Sequence, residues 1–559
     1  MAKKNERFTD VRFFYKILAA RFSAVVPYFI LFEIVLPSFC LFLFFKENTL
    51  KQLLYILVFA SSFFGNAQNK RIKILNSEQT YKNEAKYPGA VVLNGRVKVS
   101  HEGAILTCNK ALLYSAQNLL HAYGDVRINQ GDTLHQKSEY TSYDGTLKKS
   151  VSWGNVKVND PSMTLTTDTL HFNRIKQELY YNCQGTITNS ENKLTSKNGT
   201  YYLTEKKFKA TTNVVVRNPE NTLKSNHLNY YTDSGHVYFY GPTTIETKES
   251  VASAEKGFYD THLGISNLVH HSKIKYDNRV IVGDSIYSHK ERGFASSTGN
   301  TVITDTVNNL IVKGGYAEFH RLQDSVFVIK KALAISIADK DSLYIHGDTL
   351  LITGAPDNRI VRAFHHVKFF KTDLSGKCDS LHTNQKIGLT RMFKSPIIWS
   401  GGNQITGDTI ELLSDTKTNK LDSLFIRKNA FINQKDSIGF NQIKGKNMFG
   451  KFEGNKLKSL LSKGNGEVIN YARDEENKLI AVMKMSCSNI VFELENNAIQ
   501  RIQFLKTPDG KTYPPSQFPE TENKLKGFVW REDEKPTTKE DIFIKGKNKT
   551  DWNAKNKNP

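Results

Sequence analysis

A motif that returns about every 29 residues constrains this chain more than any other feature. Gly95-Arg96-Val97-Lys98-Val99 recurs as Gly124-Asp125-Val126-Arg127-Ile128 and as Gly154-Asn155-Val156-Lys157-Val158. Looser copies lead with Gly185, Thr212, Gly241, His270 and Gly299, at intervals of 29, 30, 31, 27, 29, 29 and 29 residues. An aromatic marker keeps the same register at Tyr114, Tyr143, Phe172, Tyr201, Tyr230, Tyr259 and Tyr287. Beyond residue 300 the copies lengthen, led by Lys331, His365, Ser395, Asn429 and Gly466, which makes about thirteen units. A fixed period of this size belongs to stacked repeat architectures, in which each unit touches mainly its neighbours.

Within a unit, apolar and polar residues alternate, as in Val97 and Val99 against Arg96 and Lys98. That two-residue period is the mark of a half-buried strand, and helical periodicity is absent. Asn94-Gly95, Asp144-Gly145, Asn198-Gly199 and Ser234-Gly235 read as turns. Residues 89–507 hold only Pro161, Pro219, Pro242, Pro356 and Pro396, a scarcity that long paired ladders require. About three short strands fit in 29 residues once turns are subtracted. The expected fold is therefore all-β, elongated and solenoid-like, regular over 89–300 and divergent over 301–507. The 559 residues then form one array and not the three or four globules that length alone suggests.

The ends differ from the array. Phe22 to Phe45 is apolar but contains Glu33, Pro27 and Pro37, so it reads either as an upstream extension or as an uncleaved anchor. Cys40 follows Phe39, which argues against a lipoprotein signal. Lys46 and Lys51, the apolar run Leu53 to Phe64 and Gly65-Asn66-Ala67 have the parts of a secretory signal, with cleavage expected after Ala67. Residues 68–88 form a lead-in. The array is expected to end near Phe504, and 508–559, with Pro508, Pro514, Pro515 and Pro519 and a Lys-Asn-rich end, reads as a flexible tail. Export permits disulfides, but the spacings of Cys108, Cys183, Cys378 and Cys487 do not match the repeat, so they are expected as small buried hydrophobes.

Enzyme signatures are missing: no HExxH, G-x-S-x-G elbow, P-loop, C-x-x-C or EF-hand loop occurs, so no catalysis and no cofactor are expected. Asp followed by Ser or Thr recurs at Asp132, Asp168, Asp284, Asp348, Asp379 and Asp408, and is expected to cap turns before strands. The pairs His270-His271 and His365-His366 would point to opposite faces of an ordinary strand and cannot share one metal ion. Val97, Val99, Val126, Ile128, Val156, Val158, Val214 and Val216 share one inner face, either a self-filled core or a groove for something long and apolar. The net charge of +22, which becomes +18 without residues 1–67, suits anionic partners. Nucleic acid is disfavoured, because the cations are spread through the array and the chain looks exported.

Val92 to Val99, Leu106 to Tyr114 and Ala122 to Ile128 together resemble the OstA-like, LptA-type family of periplasmic lipopolysaccharide-transport proteins. The resemblance is clearest over residues 89–300. It implies an open, V-shaped β-jellyroll whose inner face holds lipid A acyl chains and whose edge strands join similar jellyrolls head to tail. It carries the eight valine and isoleucine positions above as lipid-binding and brings no catalytic residues. The chain has far more repeats than small family members and no room after residue 507 for a large barrel. The implied role is a carrier or bridge for lipopolysaccharide, periplasmic or associated with the outer membrane. Any membrane contact is expected only through the N-terminus or partners. The alternative is a structural or adhesive β-solenoid with a self-filled core and no lipid cargo; a polysaccharide-cleaving β-helix would need a carboxylate or basic cluster that the sequence does not offer.

Overall fold

The computed structural model describes residues 71–546, apart from 338–340, 356–357, 419, 454–455, 475 and 496–497. The apolar stretches Phe22 to Phe45 and Leu53 to Phe64, the cleavage position and residues 547–559 lie outside the described residues. Among the described residues no helix is long and apolar enough to cross a membrane. The chain is an antiparallel meander, and strands pair with close neighbours in sequence. A repeat contains two long strands and not three short ones. Val91–His101 and Ala104–Tyr114 form the first pair, followed by Leu119–Gln130 and Leu134–Asp144, then Lys149–Asp160 and Met163–Asn173.

The three-strand expectation failed because the Asn94-Gly95 signal does not end a strand. It lies inside Val91–His101, where Gly95 (φ 74°) and Arg96 (φ 44°) are both left-handed. The register jumps there from Asn94↔Lys110 to Val97↔Cys108, so two residues face the single Asn109. Such a bulge bends a strand and turns its remainder into a second sheet direction. Left-handed pairs recur at Gly124-Asp125, Gly154-Asn155, Thr212-Asn213, Gly299-Asn300 and Lys428-Asn429, so the leading position of the repeat is a corner. At Gly241 the register still shifts without a positive φ, because Pro242 fixes a negative one. Asn198-Gly199 likewise lies in the strand Asn198–Tyr202, where a Cβ on Gly199 would strike the rings of Tyr181 and Phe208. Asp144-Gly145 and Ser234-Gly235 do stand at hairpin ends.

Each long strand thus contributes to two wings that meet at the corner. Leu93, Ala111, Ala122 and Leu170 face inward on the first wing, and Val97, Cys108, Val126 and Val156 on the second. Residues of both wings pack into shared apolar clusters, so the core lies between the wings. The hairpins at 115–118, 145–148 and 174–177 form the rim of the first wing. Those at 102–103, 131–133 and 161–162 form the rim of the second.

The C-terminus departs most from the sequence expectation. Pairing does not stop near Phe504: after a corner at Lys506-Thr507, Asp509–Tyr513 pairs with Leu479–Glu495. Residues 514–546 are not a free tail. They run back across the outer face of the second wing in extended chain and short 3-10 turns. Leu525 is buried with Phe431, Ile469, Tyr471 and Val482. Gln442 accepts from the Leu525 N–H (2.8 Å) and donates to the Asn523 carbonyl (2.7 Å); Gln404 does the same with Arg531 and Val529 (2.7 Å each). Buried amides need partners, and a polar, proline-bearing segment supplies them from its own backbone. Composition alone hid this, because the anchors are few.

Candidate functional site: an inner apolar face and its seam

The structure places all eight sequence-derived positions on the inner face of the second wing. Val97, Val99, Val126, Val156, Val158, Val214 and Val216 are buried, and Ile128 is half-buried beside them. They do not share one unbroken stripe. Val97, Val99, Val126 and Ile128 belong to a first cluster, and Val156, Val158, Val214 and Val216 to a second. Between them the inner face carries a hydroxyl belt: Gln136 donates to Ser152 (2.5 Å), and Thr141 lies 2.8 Å from Ser152 and 3.1 Å from Ser138. A second belt, Ser272, Ser297 and Thr301, precedes a third cluster that begins at Ile303. Small hydroxyl residues bury little apolar area, so the belts divide the face into three lengths.

The periodic aromatic has a specific task that sequence reasoning missed. Tyr143, Tyr201, Tyr230 and Tyr259 occupy the inner row nearest the first rim, and each hydroxyl crosses to the second. Tyr143 Oη lies 2.6 Å from His101 Nδ1, and Tyr201 donates to Asp160 (2.8 Å). Asn189 donates to Tyr230 (2.8 Å) and Asn221 to Tyr259 (2.7 Å). The partners are 38 to 42 residues apart, a reach that the sequence does not display. Burial pushes the Tyr259 hydroxyl up to about 12 and raises those of Tyr143, Tyr201 and Tyr230 too, so all four stay protonated at neutral pH. Phe172 lacks a hydroxyl and only packs. Tyr114 and Tyr287 sit one residue out of phase, on the outer face.

Charged residues continue the seam. Lys148 pairs with Glu102 (2.7 Å), Arg174 donates to the Glu102 carbonyl (3.1 Å), and Lys290 pairs with Glu220. Arg321 meets Glu249 (2.8 Å), and Arg279 meets Asp324 (3.0 Å). Arg174 and Glu102 are 72 residues apart and Lys290 and Glu220 are 70, whereas the tyrosine bonds span 38 to 42, so the wings close on each other with a stagger of roughly one and a half to two and a half repeats. Behind Tyr143, where the first two clusters meet, Val99, Leu120, Ile128 and Phe172 line a cavity of about 30 Å³. That is room for a water molecule, whereas ligand pockets run from about 300 Å³.

The other motifs resolve without a site. His270-His271 and His365-His366 are corners, all four left-handed and exposed. His365 turns to Asp379 (3.4 Å) and His366 to Asp348 (2.7 Å) on the opposite neighbouring strand, so the rings diverge. Asp168, Asp284, Asp348 and Asp379 lie mid-strand beside corners and do not cap turns. Capping falls instead to Asp144, Asp160, Asn173 and Asp260, whose side chains accept from backbone N–H groups of the hairpins. Among the described residues no group of three or more His, Cys, Asp or Glu could hold a metal ion. Cys108, Cys378 and Cys487 are buried and unpaired; Cys183 is exposed, against the expectation, because it stands at a corner.

Residues 69–226 match the family described as OstA-like protein. No curated protein matches the chain. Among solved structures the chain is similar to LptH of Pseudomonas aeruginosa, described as the LptA-homologous periplasmic component of the conserved lipopolysaccharide transport device. The identity is 15%, over 19% of this chain and 75% of that one, with a TM-score of 0.17.

Proposed function

We infer, from a chain whose residues 69–226 match the OstA-like family, that it is a periplasmic carrier or bridge shielding lipid A acyl chains of lipopolysaccharide on the way to the outer membrane. One observation carries this reading: an apolar inner face runs through successive repeats and is closed along one side by hydrogen bonds and ion pairs, which can part and re-form. A dozen buried methylenes contribute roughly 10 kcal/mol. Parting four tyrosine bonds costs about 2–6 kcal/mol. Cargo burial therefore exceeds the cost of parting the tyrosine bonds, and the process needs no bond-making and no cofactor. Val97, Val99, Val126, Ile128, Val156, Val158, Val214 and Val216 would meet the acyl chains. Lys73–Asn76 and Gln79–Lys82, exposed throughout and paired with Val91–His101, offer the edge where a similar jellyroll would add its strand.

A photo-crosslinking residue at Val126 is expected to trap lipopolysaccharide in cells, whereas one at the outward Arg127 is expected to trap none. Labelling from Arg127 alone would sink the inner-face reading. A second reading has its own support in the 30 Å³ cavity and the buried valines: a structural β-solenoid whose core fills itself. It predicts that mass spectrometry of the purified mature protein finds no lipid.

A further inference from the structure

The outer face of the second wing carries a row of cations that nothing above uses. Lys98, Thr107, Arg127, Lys137, Lys157 and Thr166 occupy six successive strands in one register. Lys98, Arg127, Lys137 and Lys157 are all exposed. Strand spacing of about 4.8 Å places them within roughly 20 Å of one another. Like charges on facing strand positions repel, so the arrangement opposes folding unless an anion relieves it. Asp125 serves Arg127 (2.9 Å) and Lys137 (3.4 Å); among the described residues Lys98 and Lys157 have no ion pair.

The C-terminal half shows how the same row is satisfied. There Lys368 faces Lys377, and the next row outward holds Gln404, Asn433 and Gln442 on consecutive strands. The segment 514–546 lies across them. Its Glu534 pairs with Lys377, its Glu522 with Lys484 (3.1 Å) and its Ile544 carbonyl with Lys368 (2.7 Å), while Gln404 and Gln442 grip its backbone. In the N-terminal half the matching outward row is Asn129, His135 and Asn159, again with two amides flanking a third polar residue. Among the described residues no chain segment covers it.

We propose that this uncovered row is a docking surface for an extended acidic peptide segment of another protein. Such a segment lies across the strands as residues 514–546 do, its carboxylates on Lys98, Arg127, Lys137 and Lys157 and its backbone carbonyls on the side-chain N–H groups of Asn129 and Asn159, whose oxygens are already bonded to His135 and Thr164. Charge complementarity selects the partner, and the second wing supplies the geometry. The inference is independent of the inner face and its cargo.

The test is fluorescence anisotropy of a labelled decapeptide of alternating Glu and Ser, titrated with the full mature chain. The variant K98Q/R127Q/K157Q is expected to weaken binding about ten-fold or more. The control K149Q/K209Q/K256Q removes the same charge from the outer face of the first wing and is expected to change it less than about two-fold. All six positions are exposed, and circular dichroism verifies that both variants stay folded. Equal loss in both variants would reduce the effect to bulk charge and overturn the proposal. So would capture of phosphatidylglycerol vesicles through Lys98, Arg127 and Lys157 with no peptide binding, which would make the row a lipid contact.

Discussion

The N-terminal and C-terminal parts of the array use the same repeat but hold it together differently. From Glu102 to Arg359 the structure joins the two rims by tyrosine hydroxyls and ion pairs across the core. Toward the C-terminus the strands lengthen, to 18 residues in Lys456–Arg473, and a returning segment clamps the outer face of one wing. A seam can open without disturbing the sheet behind it. An outer clamp stiffens one wing while leaving the core as it is. On the carrier reading the first part is the one suited to access, and the second is the clamped one.

The largest test of that contrast is Leu525→Ala. The side chain is 4% exposed, and its removal is expected to cost about 2–4 kcal/mol. Hydrogen exchange should accelerate in Phe440–Glu453 and Lys456–Arg473 and stay unchanged in Val91–His101; uniform acceleration would mean that the clamp stabilises the whole array.

Tyr201→Phe comes next. It removes the donor to Asp160, whose side chain is 4% exposed, at an expected cost of about 1–2 kcal/mol. Exchange should rise near 160–162 and 203–206 with the C-terminal part unaffected. On the carrier reading, the looser seam should also raise the yield of lipid adduct from a probe at Val126; an unchanged yield would separate the seam from access.

These two sites also show where sequence reading succeeds and where it stops. The spacing of Tyr143, Tyr201 and Tyr230 is visible by eye, but their partners His101, Asp160 and Asn189 are not, because the stagger between wings depends on how the bent strands tilt. Val126 could be assigned to the inner face from alternation alone, whereas Asn94-Gly95 misled, since a corner and a hairpin both ask for left-handed residues. The returning segment was illegible for a different reason. Leu525 and Ile542 are isolated among prolines and charges, and only the buried Gln404 and Gln442 reveal what they anchor.

A smaller effect lies in acid. Arg473 holds the Asp436 carboxyl below its ordinary value of 3.8 by hydrogen bonding. A lowered folded-state value means that this pair stabilises fully above pH 3.8 and ceases to as pH falls through the folded value. The melting-temperature gap between the wild type and Asp436→Asn should be constant from about pH 5 to 7 and begin to narrow only below about pH 4. A gap that persists in acid would assign the effect to packing.

The smallest effect should come from the corners. Gly124→Asn puts a side chain at φ 74° in the first corner position, which Thr212, His270 and Lys428 fill at other corners, and should cost about 1 kcal/mol or less once the Asn109 side chain, 2.8 Å from the new Cβ, shifts aside. Gly124→Val should cost about 1–2 kcal/mol, because a β-branched side chain resists that region. Equal melting temperatures for the two variants would show that the corner is held by its neighbours and not by its own backbone preference.

The stagger of the seam has a consequence for how the molecule comes into being. Each strand finds its ladder partner within about one repeat, so the sheet can form progressively as the chain emerges, with the short loop closures that favour rapid folding. The rims must wait longer. Glu102 meets Arg174 only after 72 further residues have appeared, and Glu220 meets Lys290 only after 70. A newborn chain therefore carries a travelling stretch in which the two wings have formed but are not fully fastened, about one and a half repeats long before the first crossing (His101 to Tyr143, 42 residues) and about two and a half before the last. During its own synthesis the protein passes, length by length, through the unfastened state that the carrier reading would later require.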